Sequence, residues 1–161
     1  MLLKDSVLIN ASADRVWEYV GSPDLWPLFH AKAGNCEQLS AQGGAIGSLY
    51  EMEFSLGSKT SPTKCEIIDL RVGQTIQLKS TLPGLNPKTG QPDAAVITYE
   101  LQDRGFKTKV YEQIHLDLSS VNPLLRVLAW LIHRLGKPSG ETSLRKLKKI
   151  VEEDAAPLPG A

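Results

Sequence analysis

The sequence has few cysteines, few aromatic residues and no surplus of charge, and each shortage excludes a class of protein. The two cysteines, Cys36 and Cys65, form no C-x-x-C pair, and with the three scattered histidines they give no metal-ligand spacing. The 18 basic and 18 acidic residues cancel, so no global field attracts the chain to nucleic acid. No apolar run approaches the ~20 residues that cross a bilayer. We therefore expect no metal, no nucleic-acid partner and no membrane-spanning segment.

The size of the chain and its opening residues indicate a single domain in a reducing compartment. A length of 161 residues matches about one domain, which buries roughly two-thirds of its unfolded surface. The residues MLLKDSVLIN lack the length and the cleavage pattern of a signal peptide, so we expect a cytoplasmic protein. We expect one domain over residues 1–154 and a disordered tail over residues 155–161.

The aromatic residues that are present crowd into one stretch, DRVWEYVGSPDLWPLFH. Ser12 precedes this stretch at a position where its hydroxyl can cap the free amides of a helix, which a Gly-Ser-Pro sequence then ends. Pro23 and Pro27 disfavour a second long helix directly afterwards. The prolines therefore predict a bent connection that carries Trp26 and Phe29.

Period-two patterns dominate the middle of the chain and predict strands with one buried and one solvated face. Ser6 to Ala11 forms a first short strand, and beyond Cys36 apolar and polar residues alternate in four runs. The apolar positions of those runs are Tyr50, Met52, Phe54 and Leu56; Ile76, Leu78 and Leu82; Ala95, Ile97, Tyr99 and Leu101; and Val110, Ile114 and Leu116. Short turns separate the runs, so an antiparallel meander fits better than alternating strand and helix units.

The last third of the chain is predicted to be helical. Asn122 and Pro123 are typical of a helix start, and the run PLLRVLAWLIHRL that follows is apolar on most of its circumference. Pro138 and its flanking glycines interrupt this helix. A further helix is predicted from Glu141 to about Asp154 because leucine, isoleucine and valine recur there at helical spacing.

The order of these elements resembles the START-like superfamily, also called SRPBCC, and specifically its polyketide cyclase/dehydrase and lipid-transport branch. The most specific part of the resemblance is INASADRVW, residues 9–17, followed by DLWP, residues 24–27. The resemblance implies an α+β helix-grip fold, in which a curved antiparallel sheet of about six or seven strands wraps around a C-terminal helix. Two short helices follow the first strand, and an apolar cavity lies between sheet and helix. The break at Pro138 departs from the long, continuous last helix of that family.

Strand parity and the resemblance together predict which side chains line this cavity. They are Trp26, Phe29, Met52, Phe54, Ile67, Leu78, Ile97, Tyr99, Glu112, Ile114 and Leu128. A single bulge would turn some of them to the other face of the sheet. For Trp26 and Phe29, ordinary packing of the core is an equally good interpretation.

Glu112 is the anomaly in this set. Alternation turns it inward with Val110 and Ile114, where a carboxylate has a raised pKa unless it is paired. Such a group can donate a proton, anchor a ligand hydroxyl or act as a general base. The alternatives are an ion pair with Arg71 or Arg126, or a bulge that turns the side chain outward.

Three functions remain open at this level. The first is binding, with or without transport, of a hydrophobic or amphipathic small molecule such as a lipid or polyketide, without a cofactor. The second is a cyclase or dehydratase that uses Glu112 as acid or base with help from His30 or Tyr99. His30 follows an apolar turn, where a solvated or capping histidine is typical. The third, also implied by the resemblance, is a protein-interaction module of the toxin or chaperone-cofactor kind.

The C-terminal helices raise one further question, about membranes. They combine a broad apolar arc with basic residues, a composition that suits contact with an anionic membrane surface. If the sheet buries that arc, the basic residues become a solvated face instead. Peripheral membrane contact is therefore a second expectation, and the sequence does not predict an oligomeric state.

Overall fold

The computed structural model describes residues 1–56, 59–82, 93–117 and 141–154. Within these ranges the chain forms seven strands, three α-helices and one 3-10 turn. The elements are β1 (Leu2–Ile9), α1 (Ala13–Val20), the 3-10 turn (Pro23–Leu25), α2 (Trp26–Phe29), β2 (Ala33–Gln38), β3 (Leu49–Leu56), β4 (Lys59–Arg71), β5 (Thr75–Leu82), β6 (Asp93–Asp103), β7 (Thr108–Leu116) and α3 (Ser143–Asp154). The sequence prediction of an α+β fold with two short helices after the first strand is confirmed.

The seven strands form one curved, open, antiparallel sheet in the order β1-β7-β6-β5-β4-β3-β2. Strands β2 to β7 follow one another as the predicted meander, and β1 joins its far edge. The register of that last pairing runs from Leu2 opposite His115 to Ile9 opposite Thr108. The first strand along the chain therefore pairs with the last, and β1 and β2 are the two edge strands of the sheet.

The first strand differs from the prediction in both of its bounds. The sequence predicted Ser6 to Ala11, whereas β1 spans Leu2–Ile9. Residues 2–5 carry no alternating apolar pattern, and they become part of a strand because β7 offers them backbone partners. A tertiary contact here overrides the local pattern.

The connection after α1 is built as predicted. The Ser12 hydroxyl accepts a hydrogen bond from the amide of Arg15 at 3.4 Å and caps the helix, which ends before Gly21. The two prolines leave only the 3-10 turn and the short helix α2 behind it. The Trp26 indole donates to the carbonyl of Val20 at 2.9 Å, and this bond ties the bent connection back to α1.

The core lies between the helices and one face of the sheet, which we call the inner face; Met52, Leu78, Ile97, Tyr99 and Val110 point into it. These side chains form a single buried cluster with residues of α1, α2 and α3. Helix α3 contributes buried Leu144, Leu147 and Val151 to this cluster. It begins two residues later than predicted, at Ser143, and Thr142 accepts a hydrogen bond from the amide of Arg145 there.

A bulge interrupts the pairing of β4 with β5 between Ile67 and Asp69. Ile67 precedes the bulge and stays on the inner face, whereas Ile68 is exposed. The predicted helix at Asn122 and the break at Pro138 lie outside the described residues. Across the described ranges, no helix is long and apolar enough to span a membrane.

Candidate functional site

The inner face brings together nearly all of the side chains predicted to line a cavity. Eight of them are buried in the hydrophobic cluster: Trp26, Phe29, Met52, Phe54, Ile67, Leu78, Ile97 and Tyr99. Glu112 is buried beside this cluster. Ile114 is partly buried and packs against the same cluster. Leu128 lies outside the described residues. Alternation along the strands thus predicted the face of each described strand residue, whereas Trp26 and Phe29 lie on α2; that these side chains line a cavity stays a prediction.

Glu112 points inward from β7, as its parity predicted, and only 8% of its surface is exposed. Its register partner on β6 is Tyr99, whose hydroxyl donates a hydrogen bond to Glu112 Oε1 at 2.5 Å. Arg71 is exposed at the end of β4, which two further strands separate from β7. The proposed ion pair with Arg71 is therefore wrong, and Arg126 lies outside the described residues.

His30 lies close to Glu112 but belongs to the connection after α2 rather than to the sheet. It directly follows α2, and its amide donates to the carbonyl of Trp26 at 2.7 Å. Its ring is stacked on the Trp26 ring with centroids 6.3 Å apart, and it meets the Phe54 ring at an interplanar angle of 83°. The ring is almost wholly buried, so the expectation of a solvated histidine is wrong, whereas that of a capping residue is confirmed, because His30 is the C-cap of α2. The bent connection, fastened to α3 by a bond from the amide of Ala31 to the Ser143 hydroxyl, turns this residue inward.

Tyr99, Glu112 and His30 form what we call the inner polar cluster. His30 Nε2 lies 3.9 Å from Glu112 Oε1, beyond hydrogen-bond distance. Within the described part of the chain this buried nitrogen has no hydrogen-bond partner. The imidazole of His30 thus has one polar atom, Nε2, without a hydrogen bond among the described residues, and aromatic rings pack around it.

The protonation of His30 follows from its hydrogen bonds. The amide of Lys32 donates to His30 Nδ1 at 3.3 Å, so Nδ1 acts as an acceptor and the proton of the neutral ring sits on Nε2. Burial lowers the pKa of His30 to about 4, and the charge of Lys32 acts in the same direction. At neutral pH the imidazole is therefore uncharged and presents Nε2–H toward Glu112.

Burial also dominates the other two members of the cluster. It raises the pKa of Glu112, which the bond from Tyr99 partly offsets and the charge of Asp5 reinforces. Asp5 is the exposed register partner of Glu112 on β1. Burial and the nearby carboxylate raise the pKa of Tyr99 well above 10. Any negative charge in the cluster is accordingly carried by Glu112.

Aromatic rings enclose this cluster on several sides. The Tyr99 ring meets the Trp26 ring edge to face with centroids 5.0 Å apart, and it meets the Phe29 ring at 5.9 Å. The arrangement surrounds a donor, an acceptor and a titratable carboxyl with apolar walls. Such a place can bind a polar group of an apolar molecule and can exchange a proton with it.

Sequence reasoning named all three members of the cluster but missed how they meet. Tyr99 and Glu112 lie at equal distances from the turn between β6 and β7, so hairpin symmetry about that turn would have paired them. No comparable signal exists for His30, because only the tertiary packing of α2 brings it to the sheet. In the described ranges, no three histidine, cysteine or acidic residues are grouped so that they could hold a metal ion.

A curved seven-stranded antiparallel sheet, with helices packed on its inner face, defines a helix-grip protein. The family model described as "Polyketide cyclase / dehydrase and lipid transport" matches residues 2–152, and the chain belongs to this family. The resemblance found in the sequence is thereby confirmed. No curated protein sequence matches the chain.

Solved structures support the fold. The Zhui aromatase/cyclase from Streptomyces sp. R1128 has a TM-score of 0.69 at 11% identity and covers 100% of this chain and 99% of its own. Ginseng major latex-like protein 151 from Panax ginseng has a TM-score of 0.62 at 15% identity, with 98% of each chain covered. The di-domain ARO/CYC BexL has a TM-score of 0.64 at 13% identity, covering 98% of this chain and 48% of its own. At these identities the likeness shows a shared helix-grip fold.

Proposed function

We propose that the protein binds a hydrophobic or amphipathic small molecule against the inner face, with a polar group of the ligand at the inner polar cluster. One observation carries this proposal: His30 Nε2 is buried, bears a proton and has no partner among the described residues. A buried polar group left unsatisfied costs about 1–3 kcal/mol. Such a group calls for a partner, and the polar group of a ligand is one that supplies it.

The surroundings of that nitrogen suit an apolar ligand. Trp26 and Phe54 contact the imidazole with their rings, and ring faces and edges offer a large contact area at little cost in entropy. The family description includes lipid transport, and one solved neighbour is an aromatase/cyclase. Both descriptions agree with a ligand that is mostly apolar.

Catalysis is the second candidate function, and the chemistry of Glu112 favours it. Burial raises the pKa of Glu112, which favours the protonated carboxyl that a general acid needs. His30 presents Nε2–H and therefore cannot accept a proton at that atom. In a cyclase or dehydratase of this design, Glu112 would transfer the proton and His30 would hold the oxygen of the substrate.

Membrane contact through the C-terminal helices and a cytoplasmic location stay predictions. In α3, the Lys148 Nζ donates to the carbonyl of Leu8 at 2.8 Å and lies 3.3 Å from Glu152 Oε1. This lysine therefore stabilises the docking of the helix onto β1. The first of the predicted C-terminal helices lies outside the described residues.

Native mass spectrometry of the freshly purified protein, followed by solvent extraction, tests the binding proposal. We expect a stoichiometric adduct, or an adduct that forms when fatty acids, sterols and flavonoids are added. An unliganded mass that no member of this panel changes would contradict it.

Turnover of the extracted compound then separates a carrier from an enzyme. If Glu112 transfers the proton, Glu112→Gln abolishes turnover and leaves binding intact, whereas Glu100→Gln changes neither. Glu100 is the matched control because it is an exposed glutamate next to Tyr99 on β6. Equal turnover by both variants would rule out Glu112 as the acid or base.

A further inference from the structure

We infer that the inner polar cluster recognises a hydroxyl group, so that the ligand is a neutral alcohol, phenol or enol rather than a carboxylate. This inference rests on the proposed function and specifies its ligand. It is carried by the geometry of two atoms, His30 Nε2 and Glu112 Oε1.

The first step concerns what each atom offers. Nε2 is a hydrogen-bond donor. Nδ1 accepts a hydrogen bond from the amide of Lys32, so the proton of the neutral ring lies on Nε2. Oε1 is an acceptor that already receives one hydrogen bond, from the Tyr99 hydroxyl, and has a second lone pair. A ligand atom placed between the two must therefore accept from His30 and donate to Glu112, as a hydroxyl does.

The second step concerns distance. The two atoms are 3.9 Å apart, too far to bond each other. An oxygen at about 2.8 Å from both fits this separation, since hydrogen bonds to oxygen have that length. A ketone or ether oxygen can accept from Nε2–H but gives Oε1 nothing, so it satisfies half of the site.

The third step concerns charge. The groups that face the cluster are the neutral imidazole of His30, the carboxyl of Glu112 and the hydroxyl of Tyr99, with Asp5 on the neighbouring strand. Lys32 contributes its backbone amide to His30, and its charge acts on the imidazole from a distance. Within the described ranges, no basic side chain forms a hydrogen bond or an ion pair with the cluster. A carboxylate ligand would thus meet Glu112 without a counter-charge, which is unfavourable in a buried site.

A matched set of small aromatic probes tests this inference on the wild-type protein by equilibrium dialysis. The probes are 2-naphthol, 2-methoxynaphthalene, 2-fluoronaphthalene and 2-naphthoate, which share one apolar body. We expect 2-naphthol to bind about tenfold more tightly than 2-methoxynaphthalene, from the loss of one hydrogen bond. We expect 2-fluoronaphthalene and 2-naphthoate to bind more weakly still.

Two variants connect the preference to the two atoms. His30→Phe and Glu112→Leu should each reduce the advantage of 2-naphthol over 2-fluoronaphthalene by about tenfold, since each removes one of the two hydrogen bonds. The controls are His115→Phe and Glu100→Leu, which make the same changes at exposed positions and should keep the full preference.

A measurement on the folded wild type guards against variants that fail to fold. The two-bond correlation of proton and nitrogen in the imidazole should show His30 protonated at Nε2, and 2-naphthol should shift the signal of that proton whereas 2-fluoronaphthalene should not. If all four probes bind equally, ligand binding stands and recognition of a hydroxyl is overturned. Tighter binding of 2-naphthoate also overturns it. If none binds, both the inference and the proposed function fail for this class of ligand.

Discussion

Two neighbouring rungs of the β6–β7 pairing carry the same two residue types, one rung on each face of the sheet. Tyr99 lies opposite Glu112 on the inner face, and Glu100 lies opposite Tyr111 on the outer face of the same two strands. The inner pair is buried and joined by a hydrogen bond. In the outer pair the glutamate is exposed, and the tyrosine ring has the Lys109 ammonium 5.9 Å from its centroid.

The difference shows that position on the strand, rather than residue type, creates the chemistry. Removing Glu112 from water raises its pKa and makes a hydrogen bond from Tyr99 the main compensation. Glu100 keeps its contact with water and needs no such partner. The outer pair is therefore a control that the molecule itself supplies for every experiment on the inner pair.

The largest expected difference between the faces is in stability. Tyr99→Ala removes a fully buried ring and the donor of Glu112, and should lower the free energy of unfolding by about 3–5 kcal/mol. Tyr111→Ala removes a half-buried ring and should cost about 1 kcal/mol. Urea unfolding of both variants measures this, and equal losses would show that the inner pair is not part of a packed core.

The next effect is a dependence of stability on pH that His30 introduces. Burial holds the pKa of folded His30 at about 4, below its ordinary 6.5. The resulting stability is present above pH 6.5 and is lost as the pH falls through 6.5 toward 4, by about 3 kcal/mol. Relative to His30→Phe, the wild type should lose this amount over that range.

The control for that measurement is His115→Phe, at an exposed histidine on β7. It should show the same pH dependence as the wild type when both are unfolded in urea at a series of pH values. A wild type whose stability runs parallel to that of His30→Phe would mean that the imidazole is not buried as described.

A smaller effect follows from removing one hydroxyl. Tyr99→Phe keeps the ring and leaves Glu112 without its donor, and should cost about 1–2 kcal/mol because the acceptor remains buried. Tyr111→Phe should be close to neutral. Thermal or urea unfolding at one pH decides between them, and a neutral Tyr99→Phe would show that water replaces the hydroxyl.

The smallest expected effect is a change in how the free energy of unfolding varies with pH. The pKa of Glu112 is higher in the folded protein than its usual 4.5. The contribution of this group to the free energy of unfolding is therefore intact below pH 4.5 and is lost as the pH rises through the folded pKa. Glu112→Gln lacks this loss, so its stability relative to the wild type should increase with pH. Glu100→Gln should run parallel to the wild type, and a Glu112→Gln that does the same would contradict the raised pKa.

Much of the sheet could be predicted because alternation is a local signal. Parity placed Met52, Leu78, Tyr99 and Glu112 on one face before any pairing was known. The helix cap at Ser12 and the bend at the two prolines were equally readable, since each depends on residues next to one another.

The parts that could not be predicted depend on contacts between distant residues. The bounds of β1 follow from its pairing with β7, and the burial of His30 follows from the packing of α2 against the sheet and α3. The bulge after Ile67 shifts parity without any glycine to mark it. The inner polar cluster therefore combines Tyr99 and Glu112, which hairpin geometry can pair, with His30, whose position depends on the complete fold.

The pairing of β1 with β7 has a consequence for synthesis of the chain. Leu2 emerges from the ribosome long before His115, its register partner, so β1 waits roughly 6–20 s without its neighbour at synthesis rates of about 5–20 residues per second. A strand in that position is a hazard for association with other nascent chains. The exposed polar run Lys4, Asp5 and Ser6 reduces that hazard while the rest of the sheet is being made.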